Sequence, residues 1–458
     1  MSLTNHPGDG CPDAQRAGTA RSANQDWLAR SLAAVWHPCT QMKTHERLPL
    51  VPIARGQGAW LFDFDGRRYF DGVSSWWVNL FGHANPRINA ALIRQLATLE
   101  HAMLAGFTHR PVVELSERLA ALAPEGLGHA FYGSDGASAT EIALKMAFHY
   151  WRNCGRAEKT GFVSLEGSYH GETLGALAVT DVPIFRDTYA ALLRDNARVP
   201  CPDPRGAGAG ESPAGIVQRA ADALERHLAA HHATTAALIV EPLVQGAAGM
   251  VMYDPGYLAR ARALCTRYEV LLIADEIMTG FGRTGTMFAW EQAHAPAPDF
   301  LCLSKGITGG YLPMSAVLCS DAVYAAFYDD DVTRGFLHSH SYTGNALACA
   351  AALEVLDIFR DDDVIRGNQA RAESWRALAA PLAQHPRTRD FRQRGMIIAF
   401  EVDAARPDFA RWFFAEALAR ELLLRPIGRT VYLMPPYVTT DADFALAVAR
   451  TAEILDLL

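Results

Sequence analysis

EVLLIADEIMTGFGRTGTMFAWEQAHAPAPDFLCLSKGITGGYLP, residues 269–313, contains two apolar runs, Val270 to Ala274 and Phe300 to Leu303. Both are short and rich in aliphatic or aromatic side chains, as suits strands buried on both faces of a parallel sheet. The first run delivers Asp275 and the second, one residue beyond Ser304, delivers Lys305. In open α/β sheets ligands sit outside the carboxyl ends of the strands, so a carboxylate and an amine converge on one crevice. A lysine among Gly306, Gly309 and Gly310 is expected to be partly desolvated and easier to deprotonate, as a Schiff-base lysine requires. A Lys–Asp ion pair closing a core is the alternative, and the strand ends alone leave both open.

The rest of the chain supports an α/β protein. Its 458 residues exceed one small core and suggest a large domain with a lesser one. Half the residues are hydrophobic and a fifth are charged, which is a globular composition. The net charge of −8 disfavours nucleic acid or an anionic membrane as the main partner, since both need a basic field. No apolar run is long enough to span a bilayer. Residues 1–25 lack the apolar centre of a signal peptide and read as a disordered lead-in, so a cytoplasmic location is expected. The eight cysteines form no C-x-x-C pair, which gives no sign of a zinc site or a disulfide framework.

Taken in order, Trp27 to Val35 reads as a helix ended by Pro38. Ala59–Phe64 and Arg68–Phe70, with Asp-Gly turns, read as an antiparallel meander. Helices at Arg87–Leu104 and Pro111–Leu122 precede a strand at His129–Tyr132 and a helix from about Ala139 to Trp151, with GSDGAS (133–138) between them. A strand, a Gly/Ser turn and a helix N-terminus can cradle a phosphate, although Ser and Asp there also serve as plain caps. Phe162–Leu165 leads to Tyr169 and His170, and Ala236–Val240 ends at Glu241. A helix at Pro255–Tyr268 returns to the opening stretch. Met314–Leu318 is a further strand, followed by the helix Leu347–Phe359. The pattern then changes to α+β: a strand at Met396–Val402, a helix at Phe409–Leu424, a strand at Thr430–Leu433 and a helix at Asp441–Leu457. Two motifs are set aside. Gly280 to Gly285 fits G-x-G-x-x-G but opens no helix after a first strand, and His338 and His340 lack further ligands at metal spacing.

Gly133 and Ser134 for an anion, Tyr169 as an aromatic plate, Asp275 and Lys305 together match what pyridoxal phosphate demands: a helix N-terminus, a flat partner, a carboxylate for the ring nitrogen and a lysine for the aldehyde.

IADEIMTGFGRTG (273–285) followed by LSKGITGGYLP (303–313) resembles the class III, fold type I pyridoxal-phosphate aminotransferases over almost the whole chain after residue 25. WHPCTQM, DGVSSWWVNLFGH, FYGSDGASATEIALKMAFHYW, YHGET, EPLVQGAAGM, HSYTGN and LRPIGRTVYLMPPY resemble more narrowly the branch of that family that serves biotin synthesis. The resemblance implies a large domain (76–345) with a mostly parallel central sheet, and a small α+β domain drawn from both ends (26–75 and 346–458). It implies transfer of an amino group from S-adenosyl-L-methionine to 8-amino-7-oxononanoate, giving 7,8-diaminononanoate. It also implies a homodimer with shared active sites. Lys305 would hold the cofactor and move the proton, Asp275 would keep the pyridinium proton, and Gly133 and Ser134 would bind phosphate with His340 and Ser341 of the second subunit. Tyr169 would stack on the ring and face substrate, and Glu241 joins the cofactor-binding set. Trp76 and Ser339 would line the substrate pocket, and Arg425 would take a carboxylate through two parallel hydrogen bonds. Cys39 replaces a tyrosine that commonly touches substrate, which leaves lysine open as an alternative amino donor; another class III ω-aminotransferase is the other alternative. With Asp275 at the ring nitrogen and Lys305 at the aldehyde, the two should not touch.

Overall fold

The computed structural model describes residues 21–458. By contacts these fall into two units: the described residues up to Arg55 with Phe62–Arg68, and Gly56–Leu61 with Tyr69–Leu458. In the first unit, Ser22 caps the helix Ala23–Ala34 through a capping box with Gln25. The expected disordered lead-in of residues 1–25 is therefore corrected at its end, because residues 23–25 are helical; residues 1–20 lie outside the described residues.

The second unit is built on a seven-stranded sheet whose strands are β1 (His129–Gly133), β2 (Gly161–Leu165), β3 (Ala197–Val199), β4 (Thr235–Val240), β5 (Leu271–Asp275), β6 (Phe300–Leu303) and β7 (Ser315–Cys319). Their spatial order is β1-β7-β6-β5-β4-β2-β3. β5 runs parallel to both β4 and β6, with Asp275 level with Cys302. β2 is parallel to β3 and β4. Only β7 is reversed, pairing antiparallel with β6 and with β1. Six strands thus deliver their carboxyl ends to one edge, where ligands bind in such sheets.

The two apolar runs of the opening stretch lie at the centre because both of their faces are covered. Every residue of β5 and β6 is buried. Side chains alternate between faces along a strand: Leu272 and Ala274 join the core that holds Leu224 and Leu258, whereas Leu271 and Ile273 meet Ile142 and Met146 of the helix Gly136–Asn153.

Element types follow the sequence pattern closely, and the differences have local causes. The helix expected over 87–104 stops at Leu96, where the Gln95 side-chain amide donates to Leu99 O and turns the chain. The helix expected over 409–424 ends at Ala419, and Leu422 and Leu423 pair instead in parallel with Phe70 and Asp71. The helix Pro213–His231 was unassigned, although Ile216, Ala220, Leu224 and Leu228 recur at a helical spacing of four and Ser212 caps it. β3, the strand Thr388–Arg394 and the helix Val364–Leu378 were also unassigned. No helix of the described residues is long and apolar enough to cross a membrane.

Directly after Asp275, Glu276 is fully buried and accepts hydrogen bonds from Ala289 N–H (2.9 Å), Trp290 N–H (2.6 Å) and Thr279 Oγ1 (2.8 Å). It pins the loop between β5 and β6. Burial outweighs these donors and raises its pKa to about 7. Between pH 4.5 and about 7 the unfolded chain releases this proton while the folded chain keeps it, so stability falls as pH rises through that window. Glu276→Gln should flatten this slope and lower stability at acidic pH by about 1–3 kcal/mol, since an amide nitrogen then faces backbone donors. Urea denaturation across pH 4.5–8 checks it, and an unchanged slope would refute the assignment.

Candidate active site

The common strand edge holds a cavity of about 280 Å³, close to the lower end of the roughly 300–1,000 Å³ usual for small-ligand sites. Asp135, Gly136 and Ala137 line one side, and Tyr169, His170, Glu241, Asp275, Met278, Trp77 and Lys305 are among the residues completing it.

Lys305 follows β6 and opens a short 3-10 turn with φ +47°. Burial lowers its pKa, and the carboxylates of Asp275 and Glu241 oppose that fall. Its Nζ stands 5.0 Å from the Trp77 ring centroid. Among the described residues it makes no ion pair with Asp275, whose Oδ2 instead meets His170 Nδ1 at 2.7 Å while Oδ1 accepts from Ile277 N–H at 3.1 Å. The ion-pair reading of the two strand ends is thereby set aside. His170 is buried and its Nε2 has no partner among the described residues. Glu241 accepts from the N–H groups of Tyr169 (2.9 Å) and Gly246 (3.0 Å). Desolvation raises its pKa to about 7, with His170 opposing and Asp275 adding to the rise.

At the opposite side, Asp135 caps the helix Gly136–Asn153 by accepting from Ser138 N–H, and the first turn leaves amide hydrogens without helical partners. A side chain at Gly133 would come within 2.7 Å of Ser315 Oγ, and one at Gly171 within 2.6 Å of Ala137 Cβ, so backbone packs closely around this helix start. Ser134 N–H and Oγ both reach His340 Nδ1, at 3.2 and 2.9 Å, within the same chain. Ser341 is exposed and its carbonyl accepts from His101 Nε2; Ser339 is exposed as well. Tyr169 donates its hydroxyl to Glu172.

On the open side lies a turn without glycine. Ser74, Ser75, Trp76 and Trp77 all have positive φ, between +46° and +73°. Left-handed helical backbone costs L-residues roughly 1–2 kcal/mol each, so the surroundings must hold it. Asp71 accepts from Ser75 N–H (2.8 Å) and Ser75 Oγ (2.7 Å), Ser74 Oγ donates to Met434 O (2.7 Å), and Trp77 Nε1 donates to Tyr432 Oη (3.1 Å). The Arg425 guanidinium lies 5.0 Å from the centroid of the half-exposed Trp76 ring. Cys39, exposed with φ +50°, belongs to the other unit.

The donors and acceptors fit pyridoxal phosphate: an anion-binding helix start, a tyrosine ring, a buried carboxylate away from the lysine, and a desolvated amine. The unpartnered first-turn amides and the division of Asp275 from Lys305 are what such a group would use. Of the residues singled out from sequence, the cavity gathers Tyr169, Glu241, Asp275 and Lys305, with Gly133 and Ser134 immediately before the helix start. It does not gather Cys39, Trp76, Ser339, His340, Ser341 or Arg425. Sequence reasoning missed His170 as the partner of Asp275, although its place on a strand-end loop was visible. It also missed Trp77, whose ring meets Lys305.

Such a site defines an enzyme that exchanges amines and carbonyls through a pyridoxal cofactor. The family model "Aminotransferase class-III" matches residues 41–455. The adenosylmethionine-8-amino-7-oxononanoate aminotransferase of Helicobacter pylori is 45% identical, over 94% of this chain and 98% of its own length. That of Geobacter sulfurreducens is 39% identical over 92% and 95%. The crystal structure of the enzyme of the same name from Methanocaldococcus jannaschii superposes with a TM-score of 0.88 at 31% identity, covering 94% of this chain and 98% of that one. An omega transaminase mutant from Pseudomonas jessenii gives 0.89 at 29% identity, over 94% and 98%. The chain belongs to the class-III aminotransferases.

Borohydride reduction of protein incubated with pyridoxal phosphate should fix the cofactor mass to the peptide containing Lys305. Lys305→Ala should retain no covalent cofactor, and mass spectrometry that found it on another lysine would refute the assignment.

Proposed function

We propose that this chain transfers the amino group of S-adenosyl-L-methionine to 8-amino-7-oxononanoate to form 7,8-diaminononanoate, the transamination of biotin synthesis. The observation that carries the reading is the pairing of Arg425 with Trp76, the chain neighbour of the Trp77 that meets Lys305: a cation able to bind a carboxylate, joined through one turn to a buried amine. The names borne by relatives covering nearly the whole chain favour the same substrate pair. The sequence division into a large domain (76–345) and a small domain from both ends belongs to this proposal, as does a cytoplasmic homodimer. Met103, Phe107, Leu337 and Tyr342 expose apolar surface that a second copy could bury. The exposed Ser339 and Ser341 would then reach the neighbouring site, whereas His340 meets Ser134 of its own chain.

When bound, pyridoxal phosphate supplies an electrophilic carbon and a ring that accepts electrons from the substrate carbon. The protein does the rest. The first turn of Gly136–Asn153 and Ser134 hold the phosphate, and Tyr169 covers the ring. Asp275, fixed by His170, keeps a proton on the ring nitrogen. Lys305, with its pKa lowered by burial, takes a proton from the substrate carbon and would deliver it to the carbon of the cofactor's former aldehyde. Glu241 fixes the backbone of Tyr169. One site serves both half-reactions, so donor and acceptor bind in turn. Arg425 receives the carboxylate, and Trp76 supports its guanidinium plane.

The purified protein should form 7,8-diaminononanoate from 8-amino-7-oxononanoate when adenosylmethionine is the donor. Cys39, which supplies neither the ring nor the reach of a tyrosine, makes lysine the second donor to test. Turnover with lysine alone would replace the donor, and inactivity with both would refute the reading. Arg425→Ala should raise the KM for the oxo acid about ten- to a hundredfold, the loss of a charged hydrogen-bonded contact; an unchanged KM would remove Arg425 from the site.

A further inference from the structure

We propose that Asp71 and His83 are positioning residues for substrate recognition, acting through the left-handed turn Ser74–Trp77. The inference rests on the substrate side assigned above. That turn has no glycine, so its conformation must be imposed from outside. The Asp71 carboxylate is fully buried, and its recorded donors come from the turn and from one histidine: Ser75 N–H, Ser75 Oγ and His83 Nε2 at 2.9 Å.

The tautomer of His83 follows from its neighbours. Asn79 Oδ1 accepts from Gly82 N–H at 2.7 Å, which turns the amide nitrogen toward His83 Nδ1 at 3.1 Å. Nδ1 therefore accepts and Nε2 carries the hydrogen that Asp71 receives. The ring cannot drift: a side chain at Gly56 would come within 2.6 Å of His83 Cβ, and Gly58 exchanges both backbone hydrogen bonds with His83. Arg283 closes the frame from below, donating to Asn79 O and Pro435 O.

Asp71 occupies a second joint as well. It is level with Leu423 in the parallel pairing, two residues before Arg425. Its side chain fixes the turn that presents Trp76, and its strand partner leads to the arginine stacked on Trp76. One residue thereby sets both halves of the Trp76–Arg425 contact, and with them the distance from the carboxylate-binding group to Lys305. A buried carboxylate serving only as a counter-charge for Arg283 would make no such demand on the turn.

The test uses the holoenzyme and the variants Asp71→Ala, His83→Gln and Asp71→Ala/Ser75→Gly. Asp71→Ala should raise the KM for the oxo acid about tenfold or more while leaving borohydride-fixed cofactor on Lys305 unchanged. Adding Ser75→Gly should recover several-fold of that loss, because glycine adopts the left-handed conformation without steric cost. His83→Gln should shift the same KM in the same direction, and it carries the test if Asp71→Ala does not fold. An oxo-acid KM within about twofold of wild type, or a loss that glycine does not recover, would overturn the proposal. If the wild-type enzyme proved inactive with both substrates, the reaction assignment would fail separately. The turn would then be judged by near-ultraviolet circular dichroism of its tryptophans, which Asp71→Ala should alter and the double variant restore; spectra of Asp71→Ala identical to wild type would overturn it.

Discussion

The contact between His170 Nδ1 and Asp275 Oδ2, 2.7 Å long and closed to solvent, sets the terms for the whole site. A carboxylate removed from water is costly unless hydrogen-bonded, and this one sits at the end of a strand buried on both faces. By engaging a histidine from the loop after β2, it ties two strands together on one side of the cavity. It also leaves Lys305 without an ion pair among the described residues, so the buried amine is not neutralised by direct contact with them. Glu241 completes the arrangement differently, with its recorded donors being backbone N–H groups, one of which belongs to Tyr169. The acid that holds the backbone of Tyr169 and the acid that meets His170 thus have separate partners.

Much of this was legible in the sequence because strand ends are legible. Val270 to Ala274 and Phe300 to Leu303 are apolar enough to be recognised as central strands, and whatever follows such a strand is placed at the ligand edge by topology. Asp275, Lys305 and Tyr169 stand out that way, and Glu241, though it too ends a strand, joins them only through the family resemblance. What escaped notice depends on tertiary partners. Nothing in SSWW announces four consecutive left-handed residues, since the usual signal, glycine, is absent and the compensation comes from Asp71, Met434 and Tyr432. Leu422 and Leu423 continue an amphipathic helical pattern, yet pairing with Phe70 and Asp71 outweighs it. The helix Pro213–His231 is different, since its four-residue spacing of Ile216, Ala220, Leu224 and Leu228 and its Ser212 cap are plain in the sequence itself.

The cavity is also graded from inside to outside. At its base, Asp275, His170 and Glu241 are buried and fixed by short hydrogen bonds. Trp76 and Arg425, outside its lining, are exposed and held through a strained turn and a short strand. A change of side chain at the buried base disturbs many fixed partners, whereas one at the exposed pair disturbs few.

The reversed strand β7 has a consequence for how the protein is made. It pairs Gly133 at the end of β1 with Ser315, so the first strand of the sheet meets the last. Joining such distant parts of a chain carries the loop-closure entropy of all that lies between. The pairing that holds Gly133, just before the helix Gly136–Asn153, therefore cannot form in a nascent chain until β7 has been synthesised. The sheet is closed late, by the last of its strands to be made.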